Sequence, residues 1–243
     1  MKRPAPLFPI ALAIGAIILA PRVGAQARDS RQEGPIEIEQ CQTLNNPGSY
    51  KLVKNLTATG DCLVIANPPV TIDLGGFSIT GNGTGTGIGG VSNLQTVVRN
   101  GTISKFNTGV FVEGTIEGLQ VANCAEGLFV GGIVKNNTVQ FNTFGLDVFE
   151  SSIVTGNLAF ANDETGIGVR GASLIKGNNV SSNKIGINVG VGSTLIENIA
   201  SNNSQIGLNV TCPSNVTNNT AVNNGANIML NGNGCINTNN VMP

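Results

Sequence analysis

Between Gly109 and Asn227 one short pattern is written about six times. Each copy runs Gly, an aliphatic, any residue, an aliphatic, a short variable piece and two aliphatics, followed by two polar or small positions five residues apart. The second of these recurs as Asn123, Asn142, Asn162, Asn183, Asn203 and Asn224, and the first as Gly118, Asn137, Asn157, Asn178, Asn198 and Asn219. Successive second positions are 19, 20, 21, 20 and 21 residues apart. A period of that length leaves no room for a ten-residue helix in each unit, so the chain stacks short strands as a solenoid.

Leucine-rich repeats share this length but need a Leu consensus, whereas Val, Ile and Leu interchange here. Each unit offers three apolar patches, as in Ile167 and Val169, then Leu174 and Ile175, then Val180. Three short strands per turn is the arithmetic of a parallel β-helix, an all-β fold. Each strand is only a few residues long, so the corners decide the fold. Gly and Asn suit them because both tolerate the left-handed backbone region. Asn stacked above Asn can also bond amide to amide along the axis. These Asn are therefore structural, and none is a catalytic candidate.

Residues 1–27 open with Met1, Lys2 and Arg3, continue through an apolar run from Leu7 to Ala20 and close on Ala25, Gln26 and Ala27. A basic start, a short apolar middle and a small-residue cleavage pattern make a secretory signal peptide. The apolar run is too short for a spanning helix. Cleavage after Ala25 or Ala27 removes Lys2, Arg3 and Arg22, which takes 13 basic residues to 10 against 14 acidic, a net charge of 10 − 14 = −4. With no basic patch, nucleic acid is not an expected partner. The mature chain is expected in the periplasm or outside the cell, with no membrane span. Residues 28–40 hold a polar segment and the first strand, where Ile36, Glu37, Ile38 and Glu39 alternate. One domain follows over 41–243, with an early strand from Tyr50 to Leu56.

Of the five Cys, Cys41 and Cys62 stand 21 residues, or one rung, apart. Stacked strands lie about 4.8 Å apart, within the usual Cα separation of a disulfide, so this pair is expected to bond in an oxidising compartment. Cys212 and Cys235, 23 apart, are a second candidate pair. Cys124 is left over, either as a partly exposed free thiol or as an intermolecular bond. Zinc is not expected without His or a CxxC spacing.

From Cys62 the coil is regular, running through Cys62 to Ala66, Val70 to Leu74 and Phe77 to Gly81. The run VTIDLGGFSITGNG, followed by repeats such as TGIGVRG and NNVSSNKIGINV, resembles the right-handed parallel β-helix proteins of the pectate-lyase-like superfamily. The resemblance covers roughly residues 41–240. It implies a single-stranded right-handed parallel β-helix, and the chain length gives eight or nine rungs of about 20 residues. It implies no single activity, because that fold hosts lyases, glycosidases, epimerases, metal-maturation proteins and adhesins. The Gly-rich piece from Gly81 to Gly90 is read as a surface loop, since no helix pattern follows it to make a phosphate cradle.

The sequence has no His, which removes serine triads, His acid–base catalysis and His-ligated copper or zinc. Hydrolases and epimerases of the resembled fold use clustered Asp with a His, a pattern absent here. What the resemblance leaves is the lyase pattern, in which acidic side chains hold Ca²⁺ against a substrate carboxylate and an Arg serves as base. Arg170 is then the candidate base, and Asp147 and Glu150 the candidate calcium ligands.

Alternation along the strand after each repeat Gly turns Val110, Val112, Leu128, Val130, Leu146, Val148, Ile167 and Val169 inward. Phe111, Phe129 and Asp147 then share one outward column, and Glu113, Gly131, Phe149 and Arg170 a second. Exposed Phe beside carboxylates on a flat ladder suits a sugar ring, so Phe111, Glu113, Phe129, Asp147, Phe149 and Arg170 are candidate ligand-binding residues. With the parity shifted by one, the same Phe become stacked core rings. Asp163 and Glu164 form an acidic pair expected at a solvated corner.

These readings converge on an exported, noncatalytic β-helix module with a structural or ligand-binding role, carbohydrate being the candidate ligand and no cofactor being required. The alternative is a Ca²⁺-assisted polyuronate lyase or a related carbohydrate-active enzyme. The last rung looks incomplete, and an open rung is an edge that invites pairing. Its cover is expected to be residues 231–243 folding back or a second chain in self-association.

Overall fold

The computed structural model describes residues 34–242; the segment read as a signal peptide, 1–27, lies outside them. Among the described residues 26 strands and no helix wind into a parallel β-helix of about ten turns, slightly more than the eight or nine expected. The extra turns come from the N-terminal part, where rungs carry few Asn and the repeat is hard to see. No described helix is long and apolar enough to cross a membrane.

Three parallel sheets enclose the core. The front sheet climbs from Gln42–Leu44 through Leu63–Ile65 and Thr86–Gly90 to Ala226–Asn231. The second runs from Ile36–Ile38 to Ile236–Thr238, and the third from Leu56–Thr57 to Thr220–Val222. Three strands, Val97–Ser104, Thr108–Ala122 and Glu126–Lys135, bend through corners and serve more than one sheet.

Period-two alternation sends one aliphatic column per sheet inward, and its members are almost wholly buried: Leu128, Leu146, Ile167, Ile187 and Leu208 in front, Val154, Ile175 and Leu195 in the second sheet, Val139, Ala159 and Val180 in the third. Burying each large aliphatic contributes about 1.5–3 kcal/mol, and the register is fixed because a one-residue slip would turn every one of them to water.

Most corners from Asn136 onward pair a left-handed residue with an inward polar one. At the first corner Asn137, Asn157, Asn178, Asn198 and Asn219 form a buried ladder that continues to Asn240. At the next corner Asn142, Asn162, Asn183, Asn203 and Asn224 do the same. Gly118 and Asn123, read in sequence as the first members, are instead left-handed residues, at φ 63° and 57°. The ladder positions of that rung are Leu119 and Cys124, whose N–H groups donate to Asn137 and Asn142 at 3.0 and 2.9 Å. A third ladder, absent from the sequence reading, stacks Ser152, Ser173, Ser193 and Ser214, each hydroxyl accepting a backbone N–H from the rung before.

Both disulfides form, with Cα separations of 4.4 Å for Cys41–Cys62 and 5.0 Å for Cys212–Cys235. Cys124 is free but buried rather than partly exposed. Its Sγ donates to the Ala122 carbonyl at 3.5 Å, and burial pushes the thiol above its ordinary pKa. Three further readings change. The strand expected from Tyr50 to Leu56 is two strands, Gly48–Leu52 and Leu56–Thr57, divided by a corner. Only the first half of the Gly-rich piece is a loop, because Thr86–Gly90 is a strand of the front sheet. Residues 231–242 do not fold back: Ile236–Thr238 pairs in parallel with Asn215–Thr217, and Val241 bridges Thr220, so the coil continues upward.

Candidate functional site

The outward side of the front sheet carries the site. Register places Val64, Gly89, Phe111, Phe129, Asp147, Gly168, Asn188, Asn209 and Met229 in one column. Glu113, Gly131, Phe149 and Arg170 stand beside it at the strand ends, where Phe149 and Arg170 donate their N–H groups to Val130 and Val148. The inward partners Val110, Val112, Leu128 and Val130 are buried, so the unshifted parity is the one adopted and the three Phe face out.

Phe111 is 43% exposed and stacks on Phe129 at 5.2 Å between centroids and 12° between planes. Phe149 belongs to the neighbouring column yet meets Phe129 edge-on at 4.9 Å. Gly131 makes this contact possible: a Cβ there would stand 2.9 Å from Phe149 Cδ2, so the ring lies in the space a side chain would fill. The Arg170 guanidinium sits 5.1 Å from the centroids of both Phe129 and Phe149, and its Nη2 is 3.5 Å from Asp147 Oδ2. A cation over two aromatic faces gains electrostatically from both. The ion pair is half exposed and weak, so its main role is to hold the guanidinium flat.

Beside this cluster Glu113, Glu150, Leu94 and Phe149 border a recess of about 510 Å³. Leu94 comes from the Val91–Thr96 bend, which is tied to the sheet by Glu113 N–H donating to Ser92 Oγ at 2.8 Å. Further along the column the chemistry changes. Asn209 donates to Asn188 at 2.9 Å within the column, and Asn231, from the neighbouring column, donates to Asn209 at 2.7 Å, a solvent-facing amide chain beyond the Gly168 gap. Its outward position follows from alternation, but the sequence gives no sign that these amides would bond to one another.

All six candidate ligand-binding residues, Phe111, Glu113, Phe129, Asp147, Phe149 and Arg170, thus share one face. The calcium candidates Asp147 and Glu150 gain no third partner: among the described residues no group of three or more His, Cys, Asp or Glu is placed to hold a metal ion. Asp147 faces Arg170 instead. The residues present do not fit a calcium site. Asp163 and Glu164 diverge, with Glu164 bound to Lys184 Nζ at 2.7 and 3.1 Å.

No protein-family model matches this sequence, and no curated protein matches it. Solved structures do. The periplasmic alginate epimerase AlgG is similar at 15% identity and a TM-score of 0.52, over 80% of this chain and 73% of that one. A substituted form of AlgG reaches 0.58 at 17% identity, where this chain spans only 61% of its length. The A-module of the Azotobacter vinelandii mannuronan C-5 epimerase AlgE6 gives 0.53 at 13% identity, over 86% and 80%. Likeness at such identity carries the fold: this chain is a parallel β-helix built as those carbohydrate-active proteins are.

Proposed function

We propose that the chain is an exported, noncatalytic carbohydrate-binding module that holds an extended polysaccharide along the outward side of its front sheet. One observation carries the reading: three Phe and one Arg are assembled on the exposed face of a sheet whose inward residues already complete the core. Exposed rings with no structural task offer their faces to the apolar faces of sugar rings. Disulfides and the expected signal segment fit export to the periplasm or cell exterior. The alginate epimerases share the parallel β-helix, but the clustered Asp and His that the sequence resemblance implies for hydrolases and epimerases are not available in a chain without His.

Charge narrows the ligand. Glu113, Asp147 and Glu150 set three carboxylates against the single guanidinium of Arg170, so the strip is net negative and repels a free polyuronate. A neutral glycan is the better fit, and an acidic one needs a divalent cation to bridge it.

Titration of the purified protein against a panel of neutral and acidic polysaccharides, with and without calcium, tests this reading. Calcium-independent retention of a neutral glycan is expected, weakened about tenfold in Phe129→Ala, the loss of one or two ring contacts. Absence of any glycan binding, or binding indifferent to Phe129→Ala, overturns it. Absorbance from unsaturated uronate products that disappears in Arg170→Ala establishes the lyase reading instead.

A further inference from the structure

The Phe111–Phe129 stack ends at a missing side chain. In the outward column Phe111 follows Gly89, and Gly89 follows Val64. Val64 and Phe111 are therefore two strand spacings apart, about 9.6 Å, with no side chain of their own column between them. A Cβ on Gly89 would project into that gap, 2.8 Å from Thr86 Cγ2 and 3.6 Å from Phe111 Cβ. The gap is the floor of a cavity of about 390 Å³ walled by Leu63, Val64, Val91 and Phe111, with Asp61 and Thr86 supplying its side-chain polar atoms. Asp61 Oδ1 accepts the Thr86 N–H at 2.7 Å, which fixes the carboxylate beside the cavity.

The lining selects among ligands. A pyranose carries hydroxyls around its whole edge, and each needs a partner once it leaves water; a wall of hydrocarbon and one phenyl face cannot supply them. A planar aromatic ring needs carbon contacts at about 3.5–4.0 Å on its two faces and at most one polar partner at its edge. Phe111, already nearly parallel to Phe129, offers one face and Val64 the other, Asp61 stands at the edge, and only the Thr86 methyl intrudes at the rung of Gly89.

We propose that this cavity binds a planar aromatic ring carrying one hydrogen-bond donor, which enters the Phe129–Phe111 stack at the rung of Gly89 and turns its donor to Asp61. The site adjoins the Arg170 cluster through Phe111, which stacks on Phe129, but its cavity holds none of the charged residues of that cluster. It gives the protein a place for an aryl group, whether free or attached to a larger molecule.

Indole is the direct probe, because the protein has no Trp and a single Tyr, so the emission reports the ligand. Indole fluorescence is expected to saturate on titration with the protein, and cyclohexylmethanol, a saturated ring with one hydroxyl, should compete at least about tenfold less well than unlabelled phenol. Gly89→Val fills the gap and is expected to weaken indole at least about tenfold, with its far-ultraviolet dichroism checked against the parent. Phe111→Leu, which keeps apolar bulk without the ring face, should weaken it about two- to tenfold, the size of one aromatic pair. No saturable binding, equal competition by the saturated ring, or unchanged affinity in Phe111→Leu overturns the proposal. Neutral-glycan retention in the Gly89→Val protein keeps the two readings distinguishable.

Discussion

Asn178 joins three rungs through one side chain. Its Oδ1 accepts from the backbone N–H and Nδ2 of Asn157 at 2.9 and 3.0 Å, while its Nδ2 donates to Val154 O and Asn198 Oδ1 at 2.9 Å each. The residue is 1% exposed, so no water replaces a lost partner. Asn178→Ala leaves the Asn157 N–H without an acceptor inside the protein. Each orphaned buried group costs about 1–3 kcal/mol, and a total loss of about 2–4 kcal/mol is expected in the unfolding free energy from urea titration. Asn188→Ala removes the acceptor of one Asn209 hydrogen bond on the exposed front face and should stay within about 0.5 kcal/mol. Equal effects at the two sites would mean that the interior ladder is no stronger than a surface one.

At the scale of strands and corners, the sequence shows its period and its alternation, and little of what happens where the repeat changes letters. Aliphatic alternation left two parities open for Phe111 and Phe129, and the burial of Val110, Val112, Leu128 and Val130 decides for the outward one. The contact between Phe149 and Phe129 was not legible, since it depends on the absent side chain of Gly131 in a neighbouring rung. Counting Asn also misplaced the first rung by one residue: Asn123 serves the left-handed position, while the ladder position holds Cys124. The gap at Gly89 was hidden because Gly81 to Gly90 reads as a loop, and only the pairing of Gly89 with Val64 and Phe111 shows it to be a strand. One corner went unnoticed altogether. Asp73 Oδ1 accepts from Gly75 N–H at 2.9 Å and Asn100 Nδ2 at 3.3 Å, and Oδ2 accepts from Arg99 Nε at 3.1 Å. Burial alone would push this carboxyl up, but the Gly75 and Asn100 hydrogen bonds and the Arg99 charge together hold it below its ordinary value. A carboxyl lowered on folding stabilises above its unfolded pKa of about 3.9, and that stability is lost as the pH falls through the folded value. The parent should exceed Asp73→Asn by about 1 kcal/mol at neutral pH, after allowance for screening of the half-exposed Arg99, and the difference should shrink below about pH 4. A difference that stays constant down to pH 2 would assign it to shape rather than charge.

Across the whole molecule each rung touches only the rung below and the rung above, so stability is close to a sum of neighbour terms and the terminal rungs have the fewest. The two disulfides fall where that deficit is greatest. Among the described residues, Cys41–Cys62 ties the first front strand to the second, and Cys212–Cys235 ties the last two front strands. Loops of 21 and 23 residues correspond to about 3 kcal/mol each in the chain-entropy account, placed at the ends rather than spread through the coil. Reduction should therefore act locally. Hydrogen exchange after reduction is expected to speed up by about two orders of magnitude at backbone amides within 36–57 and 212–238. Amides of the central rungs, 139–201, enclosed by two buried Asn ladders, should keep the protection they have in the oxidised protein. Uniform loss of protection along the axis would mean that the coil opens as a single unit and that the disulfides support every rung. Loss confined to the two ends would show that the stacked core holds itself, with the disulfides guarding only the strands that have one neighbour.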